Sequence, residues 1–429
     1  MDTVDILRTL CAFDTTSCRS NLDLIRWVAA YLDDHGIAAR LVHSDDGTKA
    51  NLLATIGPDV AGGIVLSGHT DVVPVADEDW DSDPFVLVER HGRFYGRGSA
   101  DMKGFIAACL AAAPRWRRLG LRRPVHLVLS YDEEVGCLGV PRLIADLQAH
   151  VQPPALAIIG EPTEMRIGRA HRGFYGQRTV FRGRPAHSSH PALGVSAIEP
   201  AALWIAALAK YGRALSLSGN RTTLNIGCLR GGTAINIVPG CCEVLWEFRP
   251  PDASSTAAVK AEVERLLSGL PTGVAVETAQ IAEVPALVAK NAGEAAAIAR
   301  SFGARWPPAE LPFGTEAGFF EQAGIPSLVC GPGAIAQAHQ PNEWIAASEL
   351  GAADRFLDGV GTWLAADRPY PKRSAITPVT TTAVPAARCQ PKGSRSSRVP
   401  ITAANSTEVS RSAATSATGA RVIAHSAIA

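Results

Sequence analysis

The sequence lacks the features that would assign the chain to a membrane, a secretory route or a nucleic acid. Its longest apolar run, near residues 105–113, is about half of the roughly 18 residues that cross a bilayer. The N-terminus has no basic segment followed by an apolar one, so no secretory signal is predicted. With 41 basic and 41 acidic side chains, a surface that is basic throughout is excluded. We expect a cytoplasmic protein without membrane or nucleic-acid partners.

Metal-binding cysteine motifs and the common nucleotide-binding and serine-hydrolase motifs are also missing. The nine cysteines are an odd number without a C-x-x-C pair, which indicates reduced thiols and not a disulfide framework or a zinc finger. Of the adjacent Cys241 and Cys242, one is predicted to be a core residue and the other a surface residue of a strand. The sequence has no P-loop and no G-x-S-x-G turn, and Gly96-x-Gly98 lacks the third glycine of a dinucleotide-binding loop.

The C-terminal segment has no aromatic residue after Tyr370. From Arg368 to Ala429 there are nine Lys or Arg and one acid, whereas the first 367 residues carry 32 basic and 40 acidic side chains, a net charge of −8. Such a segment cannot bury enough apolar surface to offset its ordering entropy. We predict that residues 368–429 are a disordered basic tail, either a solvated extension or a binding segment for an acidic partner.

Apolar residues make up 47% of the chain, and up to residue 367 they follow alternating helix and strand patterns. Helices are predicted at residues 21–35, 103–119, 138–147 and 350–364, with Pro114 as a possible break in the second. Buried strands are predicted at residues 64–67, 125–130, 156–159 and 326–329. This alternation predicts an α/β fold, with a mixed, mostly parallel sheet covered by helices on both faces.

The order of elements changes between residues 174 and 284. There the patterns follow the order strand, helix, strand, strand, helix, strand, which is typical of a ferredoxin-like α+β module. Pro200 is expected to kink the first helix or to delay its start. The predicted organisation is an α/β domain in two parts, residues 1–173 and 285–367, with the module of residues 174–284 inserted between them.

Polar side chains with metal-binding chemistry follow several of the buried strands. They are His69, Glu133, Glu134 and Glu161 after three strands, Asp101 before a helix, and His339 beyond the last strand. Because ligands of α/β sheets bind at the carboxyl ends of the strands, we expect these side chains to meet at one edge. Two imidazoles and several carboxylates suit a divalent transition metal, and the number of carboxylates favours two.

Each of these side chains also has an ordinary structural explanation. A lone histidine is usually a surface group or a satisfied core group, Glu133-Glu134 fits a solvated turn, and Asp101 fits a helix cap. Several unpaired carboxylates after apolar strands would nevertheless be costly, which favours a shared site.

Eight runs resemble, in order, the motifs of the acetylornithine deacetylase / succinyl-diaminopimelate desuccinylase / glutamate carboxypeptidase family of dinuclear metallohydrolases. They are SGHTDVVPV (67–75), YGRGSADMKG (95–104), SYDEEVGCLG (130–139), GEPTEM (160–165), AHSSHP (186–191), GGTAINIVPG (231–240), EFRP (247–250) and QAHQPNE (337–343). The resemblance covers residues 3–366 and leaves the tail outside.

The resemblance implies a role for each of these residues. The implied ligands of two divalent metal ions, zinc with cobalt and manganese as alternatives, are His69, Asp101, Glu134, Glu161 and His339, Asp101 bridging both ions. Asp71 would accept a hydrogen bond from the His69 ring, and Glu133 would be the general base.

The resemblance also implies a homodimer whose inserted module closes over the site, with His187 acting on the partner's active site. The implied substrate-binding residues are Asn225, Arg249, Glu316 and Gly331. Arg249 would grip an α-carboxylate, and Gly331 would let the backbone approach the substrate. Glu316 would either face a side-chain ammonium of the substrate or remain a solvated loop residue.

The implied reaction is hydrolysis of N2-acetyl-L-ornithine to L-ornithine and acetate, a step of arginine biosynthesis. The alternatives are another N-acyl-amino-acid hydrolase or carboxypeptidase of the same family, and a catalytically inactive binding protein, against which the retained Glu133 argues. Phe319 stands where desuccinylase relatives have an arginine. We therefore expect acetyl substrates to be preferred over succinyl ones, whose second carboxylate would lack a cationic partner.

Overall fold

The computed structural model describes residues 1–271, 273–289 and 292–367, with only the backbone of Ala292. The predicted basic tail, residues 368–429, lies outside the described residues. No helix within these ranges is long and apolar enough to cross a bilayer. Cys242 is buried and Cys241 is exposed, as predicted for neighbours on one strand.

A nine-stranded mixed sheet forms the centre of the fold, with strands numbered in chain order. Its order is β1 (Ala39–His43), β2 (Ala50–Ile56), β6 (Val125–Ser130), β3 (Ile64–His69), β7 (Leu156–Pro162), β17 (Ser327–Gly331), β8 (Arg166–His171) and β15 (Leu287–Val288), while β16 (Arg305–Leu311) pairs with β8. The central strands β6, β3, β7 and β17 are parallel, so their carboxyl ends meet at one edge.

Helices cover both faces of this sheet and confirm the predicted α/β fold. One face packs against α1 (Thr3–Cys11), α2 (Leu22–Asp33), α3 (Lys103–Leu119), α7 (Ala292–Ser301) and α9 (Ala347–Ala365). The other packs against α4 (Val140–His150) and α8 (Ala317–Gln322). Pro114 does not break α3, because burial of its alanine-rich face outweighs the one backbone hydrogen bond that proline cannot donate.

The inserted module of residues 174–284, which we call the lid, is built on a second sheet, which is antiparallel. Its strand order is β11 (Thr223–Gly231), β13 (Cys241–Arg249), β9 (Phe174–Arg182) and β14 (Ala275–Val284). Two helices, α5 (Ile198–Leu217) and α6 (Ala253–Ser268), cover one face through a separate apolar cluster around Trp204 and Trp246. Pro200 lies in the first turn of α5, where its missing N–H costs no helical bond. The element order is the predicted strand-helix-strand-strand-helix-strand.

Two small sheets, of two and three short strands, join segments that are distant in the chain. β4 (Val88–Arg90), β5 (Arg93–Tyr95) and β18 (Trp344–Ala346) form one of them, with β5 in the middle. β10 (Ala186–His187) and β12 (Ile237–Val238) form the other. The pairing of β5 with β18 places the chain that follows His339 beside the loop that leads to Asp101.

Candidate metal centre and active site

Three of the predicted ligands meet at the carboxyl edge of the central sheet. His69 ends β3, Glu161 lies in the last part of β7, and Asp101 lies in the loop before α3. Nε2 of His69 is 3.0 Å from Oδ1 of Asp101 and 3.7 Å from Oε1 of Glu161. All three are buried, at most 5% exposed. Asp101 does not cap α3, because Met102 occupies the N-cap position and no side chain bonds there.

The other two predicted ligands meet on the opposite side of Asp101. Nε2 of His339 is 3.2 Å from Oδ2 of Asp101 and 3.0 Å from both carboxylate oxygens of Glu134. The two oxygens of Asp101 therefore lie next to different histidines, as expected of a carboxylate shared by two ions. The side chain of His339 is 48% exposed, so solvent reaches this half of the group.

Glu133 lies beside His69 and Glu161, on the buried side of Asp101. One ligand atom from each of His69, Glu133 and Glu161 lies within 4.8 Å of the others. The thiol of Cys137 donates a hydrogen bond to Oε1 of Glu133 at 3.5 Å. Burial raises the pKa of the Glu133 carboxyl well above its usual value, against the opposing charge of His69. Distances alone permit Glu133 to be either a ligand or a general base.

The pKa values of the acids and imidazoles in this site depend on one another. Burial favours the neutral imidazole, but Glu161 and Asp101 together raise the pKa of His69 well above its usual value. Hydrogen bonds with Asp101 and Glu134 raise the pKa of His339 to about 10. Burial and the charge of Asp101 raise the pKa of Glu161 well above its usual value. The site therefore attracts positive charge.

This donor set fits divalent metal ions. The ion pairs of Asp101, Glu134 and Glu161 within the described residues involve histidines alone, without a lysine or arginine. Buried carboxylates without a cation are costly, and a metal ion between them would remove that cost. Imidazole nitrogen and carboxylate oxygen are ligands that zinc, cobalt and manganese accept.

Asp71 has a different set of contacts from the one predicted. Nδ1 of His69 lies 3.0 Å from the main-chain oxygen of Asp71, whereas the nearest carboxylate oxygen is 3.7 Å away. The carboxylate instead accepts hydrogen bonds from the N–H groups of Glu133 and Glu134, at 3.1 and 3.2 Å, and from the hydroxyl of Ser17 at 2.7 Å. Its side chain thus holds the Glu133-Glu134 loop, and its backbone orients the histidine ring.

Glu316 is buried and is not a solvated loop residue. Its carboxylate is 1% exposed and accepts hydrogen bonds from the hydroxyls of Ser67, at 2.8 Å, and Ser130. These serines lie on β3 and β6, the strands that lead to His69 and to the Glu133-Glu134 loop. Each oxygen accepts one of these bonds, so Glu316 connects two strands of the central sheet, and its contact with a substrate ammonium stays a prediction.

Gly331 also has a structural explanation. A Cβ atom at this position would lie 2.0 Å from the main-chain oxygen of Gly160. The absence of a side chain therefore lets β17 approach β7, which by itself requires the glycine, and the approach of a substrate to this backbone stays a prediction.

The predicted lid residues lie on exposed surfaces. Asn225 pairs with Glu247 across β11 and β13, and Arg249 follows on the same face, opposite the face that the helices cover. The guanidinium of Arg249 donates two hydrogen bonds of 3.3 Å to Glu247. His187 is exposed on β10, and its Nδ1 lies 2.7 Å from the hydroxyl of Ser189.

The sequence analysis missed Glu343, which is 1% exposed and accepts four hydrogen bonds. Three of the donors are backbone N–H groups in the loop that carries Asp101, and the fourth is the Arg97 guanidinium. The available signal was an acidic residue directly before the apolar strand β18, in the run that contains His339.

Comparisons with known proteins show similarity over most of the chain. The family model described as peptidase family M20/M25/M40 matches residues 65–360. Acetylornithine deacetylase of Pasteurella multocida (strain Pm70) is 33% identical over 375 residues, which cover 81% of this chain and 93% of that protein.

Solved structures are similar in fold. Aminopeptidase PepT from Bacillus cereus ATCC 10987 has a TM-score of 0.67 at 21% identity, with 85% of this chain and 98% of that one covered. The YXEP protein of Bacillus subtilis, described as a dinuclear metal binding peptidase, has a TM-score of 0.63 at 15% identity and covers 85% and 97%.

Proposed function

Because this chain belongs to peptidase family M20/M25/M40 and is a metal-dependent amidohydrolase, we propose that it converts N2-acetyl-L-ornithine to L-ornithine and acetate. The observation that carries the hydrolytic part is the position of Asp101 between His69 and His339, with Glu133 beside the group. The choice of substrate is supported by the acetylornithine deacetylase that is 33% identical to this chain.

The ligands would divide between two divalent metal ions, with zinc expected and cobalt or manganese as alternatives. His69 and Glu161 would hold one, Glu134 and His339 the other, and Asp101 both. When bound, such ions polarise an acyl carbonyl and lower the pKa of water.

Glu133 would move the proton. Its carboxylate would take a proton from the water that adds to the acyl carbon, and would give it to the nitrogen when the C–N bond breaks. Its raised pKa suits a group that holds a proton between two steps. Two hydrogen bonds would keep the Glu133 carboxylate in place: the one that Cys137 donates to it, and the one that the Glu133 N–H donates to Asp71.

The lid would bind the amino-acid part of the substrate. Arg249 would bind the α-carboxylate through two parallel hydrogen bonds, replacing its present bonds to Glu247, with Asn225 beside it. We also propose that residues 174–284 form a domain that makes a homodimer, and that the partner's His187 donates a hydrogen bond to the acyl oxygen as negative charge develops. Its exposed position on a short two-stranded sheet supports such a reach.

Substrate selectivity would depend on Phe319, which stands where desuccinylase relatives have an arginine. Phe319, half-buried on α8, packs against an apolar cluster, and it offers no charge to a succinyl carboxylate. Burying that carboxylate unpaired costs several kcal/mol, whereas an acetyl methyl group loses nothing.

A turnover screen tests this proposal. The purified, metal-loaded chain is assayed with N-acetyl-ornithine, N-succinyl-diaminopimelate, N-formyl amino acids and dipeptides, and kcat/KM is compared. We expect the highest kcat/KM for N-acetyl-ornithine. Equal or reversed values for the succinyl substrate would move the chain to the desuccinylase branch, and preference for dipeptides would make it a peptidase.

A further inference from the structure

We propose that Glu343 is a positioning residue that holds Asp101 in place for both halves of the metal centre, an inference that rests on the function proposed above. Its buried carboxylate accepts hydrogen bonds from the N–H groups of Gly98, Ala100 and Asp101 at 3.0, 2.9 and 3.1 Å. The last of these donors belongs to the bridging residue itself.

The loop before α3 is folded around this carboxylate. Several backbone N–H groups that converge on one point form a concave anion-binding surface, which an anion stabilises. Gly98 has a φ of +80°, and a Cβ atom there would lie 2.9 Å from the side chain of Val72. The path of the loop is therefore determined by the glycine and by the anion together, and it sets the position of the Asp101 backbone.

The same residue also connects this loop to the segment that carries His339. Glu343 lies four residues after His339, and its main-chain oxygen accepts a hydrogen bond from Gly96 at 2.9 Å. The guanidinium of Arg97 donates to the Glu343 carboxylate at 2.9 Å and to the main-chain oxygen of Gln340 at 3.4 Å. One carboxylate thus connects the two segments that deliver the bridging ligand and the exposed histidine.

A simple buried ion pair with Arg97 is the competing explanation. That arginine also donates to Glu78 and to the main-chain oxygen of Pro74, so it does not depend on Glu343 for a partner. Three of the four donors to Glu343 are backbone groups of the Asp101 loop, and an ion pair alone would not need them. A structural role would lower stability and leave metal affinity unchanged, whereas a positioning role changes metal affinity.

The test compares Glu343→Gln with wild type and with Asp354→Asn. A glutamine has a single acceptor oxygen, and its NH2 group would face other donors. Asp354 accepts a hydrogen bond from Thr3 at 2.6 Å and ties α9 to α1, so Asp354→Asn serves as the control for neutralising a hydrogen-bonded structural carboxylate. The full chains are depleted of metal with a chelator and titrated calorimetrically with cobalt(II) chloride, and Tm is measured in parallel.

We expect Glu343→Gln to bind cobalt about 10- to 100-fold more weakly than wild type, and Asp354→Asn to bind it normally. Hydrolytic activity of Glu343→Gln should rise when cobalt is raised well above its Kd, which general destabilisation would not produce. Wild-type affinity together with a lowered Tm would overturn the proposal. So would wild-type cobalt affinity in Glu343→Asp, which keeps the charge and is too short to reach all three amides, and this variant decides the case if the glutamine variant does not fold.

Failure of the proposed function would look different. A wild-type chain that binds cobalt and hydrolyses none of the acylated substrates would refute the deacetylase proposal, yet the weaker binding by Glu343→Gln would still support the positioning role. A chain that hydrolyses N-acetyl-ornithine while Glu343→Gln retains full cobalt affinity would refute the positioning role alone.

Discussion

Replacing Glu133 by glutamine should separate proton transfer from metal binding. Glutamine keeps the shape of the side chain and its contact distance to Cys137, but it cannot take a proton from water. A general base is worth about 10²–10⁴ in rate, which at 1.36 kcal/mol per tenfold corresponds to about 3–5 kcal/mol of barrier. We expect kcat to fall by about that factor, with KM changed little.

The metal content of the variant is the decisive second measurement. Glu133 lies within 4.8 Å of ligand atoms of His69 and Glu161, so a ligand role is the geometric alternative. If Glu133 is the base, Glu133→Gln should retain as much metal as wild type after dialysis, whereas His69→Ala should lose it. Elemental analysis of both purified variants makes the comparison. Metal loss in Glu133→Gln equal to that in His69→Ala, or more than half of wild-type activity, would refute the assignment.

Three further predictions concern Asp71, His187 and His126, which is buried on β6. Asp71→Asn should lower kcat about 10- to 100-fold, because one backbone N–H of the loop loses its acceptor, yet the tautomer of His69 seen by NMR should not change, since its ring bonds a main-chain oxygen. Burial lowers the pKa of His126 from 6.5 to about 4. Between these pH values the unfolded chain binds a proton that the folded chain does not, so up to about 3 kcal/mol of the stability present at neutral pH should be lost as the pH falls from 6.5 to 4. Urea unfolding of wild type and His126→Gln should therefore converge with falling pH, and a constant difference would contradict this. Mixing inactive His187→Ala and Glu133→Gln chains should restore about a quarter of wild-type activity if His187 acts across a dimer, and no recovery after confirmed subunit exchange would exclude that role.

The sequence indicated the fold and the main site because both leave local signals. Apolar runs followed by His69 or Glu161 can be recognised without knowing what the rest of the chain does. The path of α3 through Pro114 could not be predicted, since it depends on packing against elements distant in the chain.

Contacts made by backbone groups were not predictable in the same way. The carboxylate of Asp71 binds two amides of the Glu133-Glu134 loop, and that of Glu343 binds three amides of another loop. Every residue except proline carries such an N–H group, so the partner of the acid leaves no mark in the sequence. Glu316 posed the same difficulty, because its partners Ser67 and Ser130 lie 249 and 186 residues away.

The position of β17 in the middle of the central sheet has a consequence for how the chain folds. This strand, Ser327–Gly331, lies between β7 and β8, although both of those are synthesised more than 150 residues earlier. A chain ending before it would leave two strand edges unpaired, and such edges promote pairing between molecules. Loop closure over that distance also slows folding. C-terminal truncations before Ser327 should therefore aggregate during expression, and chaperone dependence should diminish only after β17 has left the ribosome.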